Sequence, residues 1–417
     1  MRSPLVVPAF YRAREVRRGS RACENPTGAG VFSNRVPPGL APNRIATELA
    51  NSPPRFDLTV SNPTRCGIPY PSGLLDSLAD PAGLAYRPEP RGLVAARKAV
   101  AAEYRRYAAA VEPDRVVLTA STSEAYAFLF KLLANPGEGV LVPSPSYPLF
   151  EHLARAEGIE AIPYHLNPEL DWRPDLHQLA ATPSGVRAVI VVHPNNPTGS
   201  LVQSDDAAAV ADLAAARGWA IVADEVFLDY LLTDRPGTGR TFAGTEQALT
   251  FTLGGLSKSV GLPQLKLAWV VASGPGDLVE NALERLEFIA DTFLSVATPV
   301  QLALPFILRQ GAAVRAAILE RCRCNLAALR QATSSLPAVA VMEPDGGWSA
   351  VLRLPAVLAE EELVLELLQK DGVAVHPGYF FDFPMDGVLV VSLLPESAVF
   401  AEGVRRLLAR VVTHLPR

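Results

Sequence analysis

The chain predicts an α/β protein: a mostly parallel sheet in a large unit, followed by a smaller α+β unit. Three observations carry this. From about residue 115, apolar or β-branched runs of strand length alternate with helical segments, the pattern of parallel strands joined by crossover helices. The runs have no polar face, as expected for strands covered on both sides. After about residue 275 long helical stretches take over, and three short strand-like runs come later.

The elements follow in order. "RVVLTA" (115–120) reads as a buried strand and "SEAYAFLFKLLAN" (123–135) as a helix. "GVLVPSP" (139–145) is a strand, and a helix starts near Leu149. "EAIPYHL" (160–166), "RAVIVVHP" (187–194), "AIVADEVF" (220–227), "LTFTLGGL" (249–256) and "LKLAWVVAS" (265–273) complete the strands. "SDDAAAVADLAAARG" (204–218) is a helix with a Ser/Asp start and a Gly end. In the smaller unit "GGWSAVLRLP" (346–355), "GVAVHPG" (372–378) and "GVLVVSLL" (387–394) read as strands.

Composition narrows the class. The 417 residues are 49% hydrophobic and 19% charged, ordinary for a globular enzyme. The net charge of −5 argues against a broad nucleic-acid surface. Four cysteines are too few for a disulfide framework and fit a reducing cytoplasm. Cys322 and Cys324, two apart on a helix, face different sides and read as packing residues. No apolar run reaches the roughly 20 residues of a membrane span. Residues 1–32, with six Arg against two Glu over the first thirty, read as a disordered extension, with a transit peptide as the alternative.

In open α/β sheets, the loops at the C-terminal ends of the strands build the site. Lys258 follows "LTFTLGGL"; an amine held out of water there has a lowered pKa and a free lone pair, although a surface lysine in a Gly-rich turn has the same local sequence. Asp224 ends "AIVAD", a carboxylate at the floor of a cleft or a plain strand-end acid. Asn196 lies in "PNNPTG", where Pro and Gly shape a turn that aims its amide. Thr122 and Ser123 open a helix whose first N–H groups form an anion site or a simple cap. Tyr147, in "PSPSYP", offers a ring to the cleft or to loop packing. At successive strand ends these groups describe one ligand, with a phosphate, an aromatic ring, a ring nitrogen, a ring oxygen and an aldehyde: pyridoxal 5'-phosphate.

With "NNPTG", "ADEVF" and "SKSVGLPQLKLAW" in order, the chain resembles the fold-type I pyridoxal-phosphate enzymes of the class I/II aminotransferase family over about residues 33–417. The resemblance implies a seven-stranded sheet and the following roles. Lys258 forms the internal aldimine and shuttles the proton. Asp224 pairs with the pyridinium nitrogen, which makes the ring an electron sink. Asn196 bonds the ring oxygen and Tyr147 stacks on the ring. Thr122, Ser123 and Ser257 hold the phosphate, joined by Lys266 where the family usually has arginine. Tyr86, with Gly92 and Arg97, matches a Y-x5-G-x4-R pattern whose tyrosine reaches the phosphate of a neighbouring subunit, implying a homodimer with shared sites. The implied division is 33–75 as an N-terminal segment packing with the small domain, 76–300 as the large cofactor-binding domain and 301–417 as the small domain. An α-amino acid, as a small-molecule substrate, is implied, with neither nucleic acid nor membrane as partner.

The sequence departs from the family at three positions. Phe227 stands where a tyrosine hydroxyl usually meets the ring oxygen, and Gly255 where a serine usually meets the phosphate. Val390 stands where an arginine usually forks onto the substrate α-carboxylate, two residues before Ser392. Asn196, Arg65 and Arg353 are the candidate replacements. An aminotransferase is the first reading. Elimination, replacement or carbon–carbon bond formation on the same cofactor is the alternative, because fold does not dictate reaction. A transcription regulator of this fold would need a DNA-binding domain ahead of it, and about 32 residues are too few for one.

Overall fold

The computed structural model describes residues 32–37, 39–233 and 241–415. Apart from Phe32, the extension expected over 1–32 lies outside them. The large sheet is built from β1 (Val116–Thr119), β2 (Gly139–Ser144), β3 (Glu160–Asn167), β4 (Val186–Val192), β5 (Ala220–Asp224), β6 (Thr250–Gly255) and β7 (Ala268–Ser273). Their spatial order is β1-β7-β6-β5-β4-β2-β3. All run in one direction except β7, which is antiparallel to both β1 and β6. Beyond the seven expected strands an eighth, the pair Arg173–Pro174, lies antiparallel to the end of β3; two residues are too few to leave a hydrophobic pattern.

Alternate residues of each strand face opposite sides of the sheet. On one side Val140, Ile190, Val222 and Phe251 pack with Phe128 and Leu129 of α1 (Thr122–Leu133). On the other, Leu141, Val189 and Ile221 pack with Val210 and Ala214 of α3 (Ser204–Arg217), which follows α2 (Leu149–Glu157) in the chain. α2 and α3 end at Gly158 and Gly218, both in the left-handed region that glycine accepts without strain.

Two expected strands are shorter than their apolar runs. "AIVADEVF" leaves the sheet at Asp224, because the next residues form a turn closed by Tyr230 N–H donating to the Phe227 carbonyl (2.9 Å). "LKLAWVVAS" enters only at Ala268, because Pro263–Leu265 form a 3-10 turn and Lys266 follows at φ 50°.

A second sheet has β8 (Ala340–Met342), β9 (Ser349–Arg353), β10 (His376–Pro377) and β11 (Val388–Ser392), antiparallel in the order β8-β9-β11-β10. The expected strand 372–378 splits, and Val373–Ala374 pairs instead with Phe56–Asp57. Phe56, Leu58, Cys66 and Ile68 of the N-terminal segment enter the core beneath this sheet. After α4 (Gly276–Phe293), the 36-residue helix α5 (Thr298–Thr333) serves both cores. Its Leu304, Ile307 and Leu308 pack under β1 and β7, and its Ile318, Leu326 and Leu329 join the small-sheet core. Among the described residues it alone is long and apolar enough to cross a membrane by composition, a property shared by buried core helices. On α5 Cys322 is buried and Cys324 exposed. The last helix, α6 (Ser397–His414), packs along α5.

Candidate active site

The parallel strands β4, β5 and β6 deliver three loops to one edge of the sheet. β6 ends in Gly254 and Gly255 because nothing larger fits. A Cβ on Gly254 would lie 2.5 Å from Trp269 Nε1, and one on Gly255 2.9 Å from the Ala268 Cβ. The hydroxyl missing at Gly255 is thus excluded by the neighbouring strand. One helical turn, Leu256–Ser259, then presents half-buried Lys258. Its Nζ lies 5.2 Å from the ring centroid of Trp348 and 5.7 Å from that of Phe227. Burial among these rings pushes its pKa down, and the charge of Asp224 only partly offsets this.

Asp224, at the end of β5, accepts the Tyr126 hydroxyl at Oδ2 (3.0 Å) and the Val226 N–H at Oδ1 (3.2 Å). Burial pushes its pKa up in spite of these donors and of Lys258. The lysine and the aspartate are both displaced toward their neutral forms. A cation set against Asp224 would favour its carboxylate form.

The loop after β4 is organised by Asn195 rather than Asn196. The buried Asn195 accepts from Ser146 Oγ (3.1 Å) and donates to the Pro145 carbonyl (3.1 Å) and to Thr198 Oγ1 (2.8 Å). Gly199, at φ +72°, lets the turn dock on the small unit; its carbonyl takes the N–H groups of Asp345 (3.0 Å) and Gly346 (2.9 Å). Asn196 is half-buried beside this network. At the start of α1, Ser121 Oγ caps the Glu124 N–H (3.1 Å). Thr122 and Ser123 supply first-turn N–H groups, which a helix cannot satisfy internally. Ser257 is half-buried on the lysine turn and Lys266 is exposed. Tyr147 is 40% exposed, and its phenol pKa is pushed up, mainly by burial and also by the charge of Asp224.

The remaining candidates lie apart. Tyr86 is 77% exposed. Arg97 is a buried brace, donating to the Gly92 carbonyl (3.0 Å), the Pro113 carbonyl (2.9 Å) and Asp114 (2.8 Å). Val390 is enclosed in the small-sheet core opposite Val351, and Arg65 and Arg353 are both exposed. Arg35, which the sequence reading passed over, lines a cleft with Ser146, Tyr147 and Asp382.

The model of the family described as "Aminotransferase class I and II" matches residues 75–404, most of the chain. The chain belongs to the class I and II aminotransferases. It is 27% identical over 363 residues to the alanine aminotransferase of Mycobacterium bovis, covering 84% of each chain. It is 26% identical over 349 residues to the glutamate–pyruvate aminotransferase of Escherichia coli, covering 81% of this chain and 85% of that one. In fold it resembles a tyrosine aminotransferase of Leishmania infantum, with a TM-score of 0.78 at 21% identity over 90% of this chain and 99% of the other.

The family's cofactor is pyridoxal phosphate, and this aminotransferase has groups that suit it. They are an amine whose ammonium form is disfavoured, a half-buried carboxylate whose pKa is pushed up, and helix N–H groups suited to an anion. Sequence reasoning missed Tyr126, Asn195, Trp348 and Tyr230. Tyr126 carried a usable signal, since it follows the helix start by one turn on the face toward the sheet. The other three are brought in by contacts distant in sequence.

Proposed function

We propose that this aminotransferase holds pyridoxal phosphate on Lys258 and moves an amino group between an α-amino acid and a 2-oxo acid. The supporting observation is the half-buried Lys258 amine, enclosed by Phe227 and Trp348 within the field of Asp224. When bound, the cofactor supplies an electron sink that makes the substrate α-proton acidic. Lys258 Nζ then takes that proton and returns it, a task suited to an amine whose burial keeps its lone pair available. Asp224 keeps a proton on the cofactor ring nitrogen, with Tyr126 and Val226 orienting its carboxylate. Asn196 would meet the ring oxygen, Tyr147 would cover the ring, and Thr122, Ser123, Ser257 and Lys266 would hold the phosphate.

A second copy of the chain would bring Tyr86 to the phosphate, and Leu84 and Tyr86, two apart in the chain and both exposed, would be covered by such a partner. A cytoplasmic setting agrees with the free cysteines. Because Val390 cannot bind the substrate carboxylate, that contact falls to Asn196 with Arg65, Arg353 or Arg35. Arg35 is the one that lines a cleft with Tyr147.

The test combines holoenzyme with single amino acids and 2-oxo acids and identifies products by mass. Alanine and glutamate with pyruvate come first, since relatives carry those names. Pyridoxamine phosphate and a 2-oxo acid are expected. Products of elimination or carbon–carbon bond formation would replace this reading with the second one, which the buried Val390 favours. Borohydride reduction and peptide mapping should place the cofactor on Lys258.

A further inference from the structure

The turn that carries Lys258 spans only Leu256–Ser259, too short to hold its own shape. Its last carbonyls lie where a helix has no donors left. The Lys258 carbonyl receives the Gly261 N–H at 3.2 Å and, more closely, the Tyr230 hydroxyl at 2.6 Å. The same hydroxyl is 3.3 Å from the Ser259 carbonyl. The Tyr230 ring is fully buried and meets Trp348 edge-on at 5.0 Å. Its backbone is anchored as well, since its carbonyl takes the Gly347 N–H (2.9 Å). Adjacent Asp229 is held by the Tyr107 hydroxyl at 2.6 Å. Burial pushes the Tyr230 phenol pKa far up, so it stays a donor.

Tyr230 thus ties together three segments: the stretch after Asp224, the lysine turn and the Gly347–Trp348 loop. The hydroxyl absent at Phe227 occurs three residues later, beneath the turn. We propose that Tyr230 is a positioning residue for Lys258: its hydroxyl clamps the carbonyl end of the lysine turn to the Asp224 loop and so sets the approach of Nζ. A buried tyrosine bonded only to complete its packing would leave the amine's behaviour unchanged.

The inference rests on Lys258 being the reactive amine. Tyr230→Phe keeps the ring and removes the clamp. Tyr164→Phe loses a comparable hydroxyl–carbonyl bond, 2.9 Å from β3 to Ile190 of β4, on elements apart from the lysine turn. Each protein is stripped of cofactor and mixed with pyridoxal phosphate, and the rate of covalent capture is followed by absorbance. Circular dichroism of the cofactor band and the thermal midpoint are then recorded. Tyr230→Phe should capture about ten-fold more slowly or worse, since one well-placed bond is worth about that factor, and its dichroic band should weaken. Tyr164→Phe should lose thermal stability yet capture within about two-fold of wild type, a rate change far below one lost bond. Parental capture and dichroism in Tyr230→Phe, or equal slowing in Tyr164→Phe, overturns the proposal. A measurement on wild type needs no variant. Amide exchange should place the Lys258–Gly261 turn and Tyr230 in one cooperative unit, and a turn that opens alone would count against the clamp. Borohydride label away from Lys258 in wild type would sink the site reading itself. Label on Lys258 with parental capture in Tyr230→Phe sinks only the clamp.

Discussion

Asp224 and Glu225 are neighbouring acids with different tasks. Asp224 faces the site. Glu225 accepts Thr241 Oγ1 and the Phe242 N–H, both at 2.6 Å, and burial with the charge of Asp224 pushes its pKa up to about 8. An acid whose folded pKa is raised favours the folded state below its unfolded value and loses that contribution as pH rises through the folded one. Stability of the cofactor-free enzyme should therefore fall between about pH 4.5 and 8. Glu225→Gln, which keeps both partners bonded, should flatten that stretch in thermal melts against pH. An unchanged slope would place the titration elsewhere. Asp224→Ala should instead act on chemistry, lowering kcat by about 100-fold or more, the scale of one electrostatic stabiliser. Cofactor retention measured by equilibrium dialysis should change far less, because the phosphate groups lie on other elements. Lys258, Asp224 and Asn196 could be proposed from the sequence because each ends or follows a clean apolar strand. Tyr230 was not, since only the close approach of the lysine turn distinguishes it from another core aromatic.

At the scale of elements, the lysine turn depends on how closely α5 passes beneath it. A Cβ on Gly311 would lie 2.1 Å from Val260 Cγ1, two residues after Lys258. Alanine ordinarily improves a helix interior by about 1 kcal/mol over glycine. Overpacking against the fully buried Val260 should outweigh that, for a net loss of about 1–3 kcal/mol. Gly311→Ala should lower the thermal midpoint and slow cofactor capture, and adding Val260→Ala should recover part of both. A stabilised Gly311→Ala enzyme would show that the turn has room to move. The strands were readable from their apolar runs, but their ends were not. Asp224 and Ala268 bound their strands through turns that hydrophobicity does not record.

For the whole molecule, the proposed second copy would cover exposed apolar residues. Leu84 is 94% exposed, and Tyr86, two residues on, lines a hollow with Ala290 and Leu294 at the end of α4. Leu84→Glu should shift sedimentation from dimer to monomer and weaken cofactor retention, because each site would lose the tyrosine supplied by the other copy. A monomeric wild-type enzyme with full activity would remove the shared site.

The sequence by itself determined the α/β class, the order of strands and the loops that carry Lys258, Asp224 and Asn196. Those properties reside in local runs of apolar residues and in short motifs with set spacing. The tertiary structure alone decided which side chains complete the site. Tyr126 reaches Asp224 across 98 positions, Tyr230 reaches Lys258 across 28, and Trp348 comes from the small unit to cover the amine. The same holds for the arginines: Arg65, Arg353 and Arg35 are all exposed, and only the folded chain sets Arg35 in a cleft with Tyr147. A hydrogen bond or ring contact between distant segments exists only once the chain has folded around both, and no local pattern encodes it.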